Sequence, residues 1–394
     1  MRKNLYLGLI ACAALTMTGC SNDEVSYDSP KQEDQPIQFS TYLGKNVQGR
    51  GTINNDDALQ TSGFGVTAFY TGQTTWTGPI KAPDFMYNQK VTYSTSWTYD
   101  PVKYWPTKAG DKISFFAYAP YATVTNGITL NGKEATTTAT QINFSIATAA
   151  NQMIDFVAAQ VINATQQDDA SGGNGDRSAV SFNFKHELSR LAFKVKTSKN
   201  LNSESHLVLK TVELVASDAY TQTAVYTFNN ASTAEDVSTR GSWDTKTPIS
   251  TDYSLSTIIN YGSATTIGGK NYSGISTMDV TSTTATDLFK SGEYLFLIPA
   301  TNASGTGLSA NTAAVKFTYD IVTEDNKLEE GYSCTSAEKI VYLPANILKQ
   351  GVAYNVTFTF AVDDIEVSGT VSDWGSETSE STNVPFTPDT ATAD

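Results

Sequence analysis

Gly351-Val352-Ala353-Tyr354-Asn355-Val356-Thr357-Phe358-Thr359-Phe360-Ala361-Val362-Asp363-Asp364-Ile365-Glu366-Val367 is the stretch that decides the fold class. Tyr354, Val356, Phe358, Phe360 and Val362 fall on every second residue, so an extended chain puts all five on one face. Asp363-Asp364 makes a turn, and Ile365, Val367 and Val371 line the returning strand before Trp374. The segment reads as a β-hairpin.

Working back from it, the same signals recur. Ile37-Gln38-Phe39-Ser40-Thr41 alternates, and in Phe64-Gly65-Val66-Thr67-Ala68-Phe69-Tyr70 the residues Phe64, Val66, Ala68 and Tyr70 share a face. Residues 113–118 form a fuller apolar run bounded by Asp111-Lys112 and Pro120, and 154–161 is another. Val180, Phe182 and Phe184 are apolar at even positions, whereas Leu191, Phe193 and Val195 are apolar at odd ones. A one-residue slip turns side chains to the wrong face, so this change of phase implies a bulge or corner, with His186 and Glu187 as structural polar residues in it. Val315, Phe317, Tyr319 and Ile321 alternate with Lys316, Thr318 and Asp320, which predicts a strand with one wet face. The runs 294–298 and 340–343 stop at Pro299 and Pro344, which cannot donate to a ladder. Short strands between Gly, Asn, Pro and Thr clusters predict an all-β chain built as a sandwich rather than from βαβ units.

At about 150 residues per domain, 394 residues predict two domains. The expected division is a leader at 1–19, a flexible tether at 20–35, an N-terminal β-sandwich domain at 36–165 and a linker or long loop at 166–179. A C-terminal β-sandwich domain at 180–375 and a disordered tail at 376–394 follow. The linker contains no large apolar residue, and its acids do not keep the alternating spacing of a calcium loop, so no metal is expected. A formal charge of −14 excludes a basic nucleic-acid footprint and attraction to anionic lipid.

The N-terminus is an address. Arg2 and Lys3 precede 13 uncharged residues, 5–17, too short to span a bilayer, and then Met17-Thr18-Gly19-Cys20. Small residues directly before a cysteine resemble bacterial lipoprotein leaders, which implies lipidation at Cys20 and an anchor of several acyl chains. Ser21-Asn22-Asp23-Glu24 resembles the surface-export signal of Bacteroides-type lipoproteins. Cys12 leaves with the leader and Cys20 takes lipid, so Cys334 is the remaining thiol and no intrachain disulfide is expected. Cys334 reads as a small half-buried loop residue with no basic neighbour in sequence to activate it.

Six stretches in order resemble the fimbrillin family of Bacteroides-type bacteria, the type V pilins. They are residues 64–70; Tyr104-Trp105-Pro106 with 113–120; Asp155-Phe156-Val157-Ala158-Ala159; Phe184-Lys185-His186-Glu187-Leu188-Ser189-Arg190-Leu191; residues 351–358; and Val371-Ser372-Asp373-Trp374. The resemblance implies two tandem β-sandwich domains of transthyretin-like topology in a lipidated precursor of a pilus subunit, displayed on the outer membrane. It implies assembly by proteolysis after a basic residue, which removes the first strand, here Ile37, Phe39 and Thr41, and opens a groove for a neighbouring subunit's strand. Arg50, in Val47-Gln48-Gly49-Arg50-Gly51, is the candidate cut site and Lys45 a second. The candidate donor is the strand carrying Ile365, Val367 and Val371, or the tail beyond it, where Pro385 and Pro388 disfavour pairing and suit a tip or accessory adhesin.

Expected partners are other pilus subunits by strand addition, the outer membrane through lipid, and a host or bacterial surface ligand; no cofactor is expected. An enzyme finds little support. Nucleophile elbow, zinc motif, phosphate loop and dinucleotide fingerprint are all missing, and acid pairs are easy to draw among 40 carboxylates. The alternative is a glycan-binding outer-membrane lipoprotein, for which Trp97, Tyr99, Tyr104 and Trp105 are the candidate stacking rings.

Overall fold

The computed structural model describes residues 35–43, 56–79, 81–134, 140–166, 179–230, 241–300, 307–361 and 365–374. Its principal elements in chain order are β1 (Gln38–Tyr42), α1 (Asp56–Ser62), β2 (Phe64–Gly72), β3 (Met86–Tyr93), β4 (Lys112–Ala119), β5 (Ile128–Leu130), β6 (Gln141–Ser145), β7 (Val157–Ala164) and β8 (Ala179–Asn183). Then come β9 (Ser189–Thr197), β10 (Ser205–Leu214), β11 (Thr221–Thr227), β12 (Ser242–Pro248), β13 (Leu295–Leu297), β14 (Ala314–Glu324), β15 (Tyr332–Tyr342), β16 (Val352–Phe360) and β17 (Ile365–Asp373). The all-β class expected from the alternating pattern is what the chain adopts. Residues 1–34, the cut-site segment 44–55, most of the expected linker and the tail from 375 lie outside the described residues.

The first large sheet runs β7-β4-β2-β3, with the short strands Lys185–His186 and Trp97–Thr98 at its two edges, antiparallel throughout. Its central strands are apolar on both faces because both faces are covered. Ile113, Phe115 and Ala117 join one core with Phe64, Val66 and Val157, while Phe116 and Tyr118 join a second with Phe69, Trp76 and Phe156. Gly65 is required here, since a Cβ would stand 2.4 Å from the Tyr118 ring. Helix α1 was not anticipated by the pattern; Leu59 anchors it, and Gly63 at φ +65° closes it with an N–H to the Leu59 carbonyl at 2.9 Å.

The second core continues past a four-stranded sheet, β12-β11-β6-β5, which pairs strands from the first and second halves of the chain. It ends in a sandwich. One sheet there runs β9-β16-β17, with β9 and β16 parallel and β13 on the far side of β9; the other runs β10-β14-β15. Phe317 of β14 meets Phe358 and Phe360 of β16 edge to face at 4.7 and 5.4 Å, and Phe193 of β9 meets Phe358 at 5.1 Å. The hairpin read at 351–367 is β16 and β17, paired from Val352↔Asp373 to Phe360↔Ile365, while Val362 and the expected turn at Asp363-Asp364 lie outside the described residues.

Three expectations need correction. The second face of β14 is not wet. Asp320 is 1% exposed there, accepting from Lys210 Nζ (2.5 Å), Lys270 Nζ (2.8 Å), Tyr272 OH (2.9 Å) and Ser336 Oγ (2.7 Å), under the short hairpin that carries Lys270 and Tyr272. Strand β15 starts at Tyr332, eight residues before the apolar run that predicts it, because an edge strand exposed along most of its length has no inward face to mark it. Cys334 is therefore an exposed strand residue rather than a half-buried loop residue, and Lys270 Nζ, remote in sequence, donates to its Sγ at 3.0 Å.

Candidate assembly site: the first strand and its seat

Ile37, Phe39 and Leu43 are spaced two and four residues apart, so one face of an extended segment carries all three inward, and all three are buried. Among the described residues strand β1 pairs with β8 alone, in parallel, Phe39 opposite Val180. The ends are tied separately. The Ile37 N–H donates to the Lys103 carbonyl (2.8 Å), the Trp105 N–H to the Gln35 carbonyl (2.9 Å), the Phe184 N–H to the Tyr42 carbonyl (2.8 Å), and the Leu43 N–H to Asp56 Oδ1 (2.9 Å). Burial pushes the Asp56 carboxyl up, against the lowering effect of that last bond.

Phe39 fills the centre of the seat. Its ring lies 6.0 Å from Phe64, 5.2 Å from Tyr99, 6.1 Å from Phe115 and 5.4 Å from Phe182. Thr41 accepts from Trp97 Nε1 at 3.1 Å, and the Ile37 carbonyl accepts from the Tyr99 hydroxyl at 2.8 Å. Burial raises the Tyr99 pKa, which keeps that hydroxyl a donor. Sheet, β8 and the 97–105 segment thus form a groove with pockets for alternate side chains. Each of Ile37, Phe39 and Leu43 contributes about 1.5–3 kcal/mol by burial.

The four candidate stacking rings do not form one exposed face. Trp105 is buried at 5% exposure in the core under β1, Trp97 and Tyr99 pack against that core, and Tyr104 alone is exposed, at 49%. Trp97 also meets Phe64 edge to face at 4.8 Å.

Ile365, Val367 and Val371 lie on β17, an edge strand of its sheet paired only with β16 among the described residues. Ile365 is buried, and Val367 and Val371 pack half-buried against the large core. The strand ends in an aromatic slot. Trp374, 4% exposed, stacks on His186 at 4.0 Å with a 10° interplanar angle and on Phe296 at 5.5 Å, with the Arg190 guanidinium 5.1 Å from its ring. His186 Nδ1 is 2.7 Å from Asp155 Oδ2, the Trp243 indole N–H donates to the Glu187 carbonyl at 2.7 Å, and Gln350 Nε2 donates to the Glu187 carboxylate and to the Gly241 carbonyl. Burial lowers the Arg190 pKa, and the rings of Tyr294 (4.6 Å) and Trp374 flank its charge.

This knot occupies the expected change of phase. The chain leaves the first sheet at Lys185–His186 and enters the sandwich at Ser189, so the slip is a corner between two sheets. Sequence reasoning found His186 and Glu187 at the corner and placed Asp155 and Arg190 only within family-like stretches; it did not find Gln350 or Trp243, and the convergence of these residues has no local signal. Among the described residues no group of His, Cys, Asp and Glu is placed to hold a metal, and no helix is long and apolar enough to cross a membrane. Cys20 and Arg50 lie outside the described residues.

A family model described as fimbrillin-like matches residues 50–374. The chain belongs to the fimbrillin-like family. This fimbrillin-like chain is 33% identical over 373 residues to the fimbrium subunit Fim1C of Phocaeicola vulgatus, a match covering 91% of this chain and 93% of that one. Among solved structures, that of a fimbrial protein from Bacteroides vulgatus ATCC 8482 is similar with a TM-score of 0.69 and 27% identity, covering 86% of this chain and all of the other. The fimbrillin-like match starts at Arg50 and ends at Trp374, so it contains the groove and the aromatic slot and leaves out β1.

Proposed function

We propose that this chain is a surface-displayed precursor of a fimbrial subunit, a tip or accessory adhesin lipidated on Cys20, that assembles after cleavage at Arg50 by exchanging β1 for a strand of a neighbouring subunit. The reading rests on the seat of β1. A five-residue strand held by one parallel neighbour, three inserted side chains, the hydrogen bonds at its ends and those from Trp97 and Tyr99 can leave as a unit, and its departure uncovers the ladder groups of β8 and a row of apolar pockets. Relatives that are fimbrial proteins support it. So does the donor pattern: Ile365, Val367, Gly369 and Val371 repeat the two-residue spacing of Ile37, Phe39, Thr41 and Leu43, with a small residue third. As a structural subunit it performs no catalysis.

Limited trypsin digestion of the purified chain tests this. The expected result is an N-terminus at Gly51 and oligomers that persist in mild detergent as a ladder. Monomers after verified cleavage at Arg50 would refute strand exchange.

A further inference from the structure

The second sandwich leaves one long ladder open. Among the described residues β15 pairs only with β14, over 11 residues from Tyr342↔Ala314 to Tyr332↔Glu324 and without a register shift. Its other side is therefore a row of unpaired N–H and C=O groups about 37 Å long. The other edges are blunted. The first sheet ends on strands of two residues each, Lys185–His186 and Trp97–Thr98, and β5 has three residues. β12 shifts register twice against β11, holds Thr245 at φ +51° and stops at Pro248, while β17 carries Gly369 at its middle. β15 contains no proline, glycine or bulge. Residues 333–336 are all exposed, and Ile340 and Tyr342 keep 48% of their surface open to solvent.

The sequence of the strand selects a second copy of itself. Ala337 is its middle residue, with five residues on either side and a tyrosine at each end. A copy turned about a two-fold axis through Ala337 runs antiparallel and pairs the strand along its whole length. Tyr332 then stands opposite Tyr342 of the second copy, Cys334 opposite Ile340, Thr335 opposite Lys339 and Ser336 opposite Glu338, so no like charges face each other directly. A parallel copy in register would set Glu338 beside Glu338 and Lys339 beside Lys339. With a formal charge of −14 the chains repel one another, and the uncharged run Tyr332-Ser333-Cys334-Thr335-Ser336-Ala337 is an edge that a like-charged copy can approach. We propose that β15 joins two copies of this chain edge to edge, as an antiparallel pair centred on Ala337. The strand contributes nothing to the core under β1, so the pair forms in the uncleaved chain and stands or falls apart from strand exchange.

Sedimentation equilibrium on the uncleaved full chain, with reductant present, should show a reversible dimer. Thr335 is exposed, and Thr335→Lys sets like charges opposite Lys339 twice across the axis, which should weaken the dimer about tenfold, whereas Thr335→Glu should tighten it. Ile340→Cys reads the register. It places a thiol opposite Cys334 of the second copy, at the Cα separation of about 4.5–5.5 Å that a disulfide spans, so mild oxidation should link this variant into dimers. In the wild type the two Cys334 residues lie about 20 Å apart along the ladder and should stay unlinked. A chain that remains monomeric at every concentration, equal dimerisation of Thr335→Lys and Thr335→Glu, or linkage of the wild type as fast as of Ile340→Cys would each overturn the proposal.

Discussion

Replacing Phe39 by alanine tests whether β1 is held separately from the sheet it covers. Phe39 is 6% exposed and its ring centroid lies 5.2 to 6.1 Å from those of four others, so truncation costs about 3–5 kcal/mol. At 1.4 kcal/mol per tenfold, the opening equilibrium of β1 rises about 150- to 4,000-fold. The loss falls on β1 because its neighbours keep other supports. Phe115 sits mid-sheet beside Trp105 at 6.1 Å, and Phe64 still meets Trp97 at 4.8 Å and Phe184 at 5.5 Å. Hydrogen exchange read by mass spectrometry then shows peptides covering residues 37–43 exchanging faster by that factor, while peptides covering 112–119 keep their protection. Equal acceleration of both segments would mean that β1 opens only with the entire core, and removal of the strand would be untenable.

Trp374→Ala empties the slot between His186 and Phe296 and should weaken β17 by about 3–5 kcal/mol, seen as faster exchange at 365–371 than at 314–322. Asp320 sets an acid limit. Burial alone would raise its pKa, but bonds from Lys210, Lys270, Ser336 and Tyr272 outweigh it and hold the carboxyl below the usual range. Its contribution is therefore complete above the unfolded carboxylate value of about 3.9 and is lost as pH falls below it toward the folded value, so Asp320→Asn should lower stability at pH 7 and flatten the acid limb of a denaturation profile. Cys20→Ala should move the chain from the membrane to the soluble fraction of a suitable host, and a mutant that stays with membranes would refute lipidation.

What was legible in the sequence is what period two encodes. Tyr354, Val356, Phe358 and Phe360 of β16, Val315, Phe317 and Tyr319 of β14, and Ile37, Phe39 and Leu43 about β1 are buried as the alternation predicts, and the phase change at 184–191 announced a corner, whereas β2 buries six consecutive residues from Phe64 to Phe69 and Ile321 of β14 is exposed. Partners were not legible. Nothing near Phe39 says that it pairs beside Val180, about 140 positions away, and in parallel; ladder direction leaves no mark on the alternation of either strand. Trp97, Tyr99 and Trp105 read equally well as a ligand platform or as packing, because a ring's composition does not reveal which side of a sheet it covers. Asp320 failed for the same reason. Its alternation with Tyr319 and Ile321 is that of a wet face, and only the hairpin folded over it supplies the partners.

The corner also connects the two ends of the assembly reading. One short run carries β8, which pairs β1, then Phe184, whose N–H closes the end of that ladder on Tyr42, and then His186, on which Trp374 stacks. Only Lys185 separates the last contact with the first strand from the contact with the last. The run is pinned by its pairing with β7 and by Asp155 on His186, so it cannot shift toward one end without disturbing the other. A strand leaving the groove frees the Phe184 N–H and the Phe182 face that stacks on Phe39, two positions from the ring that holds β17 in place. The side-chain alternation reverses here because the chain changes sheets, and for the same reason a residue that lines the groove and a residue that stacks on the terminal tryptophan lie two positions apart.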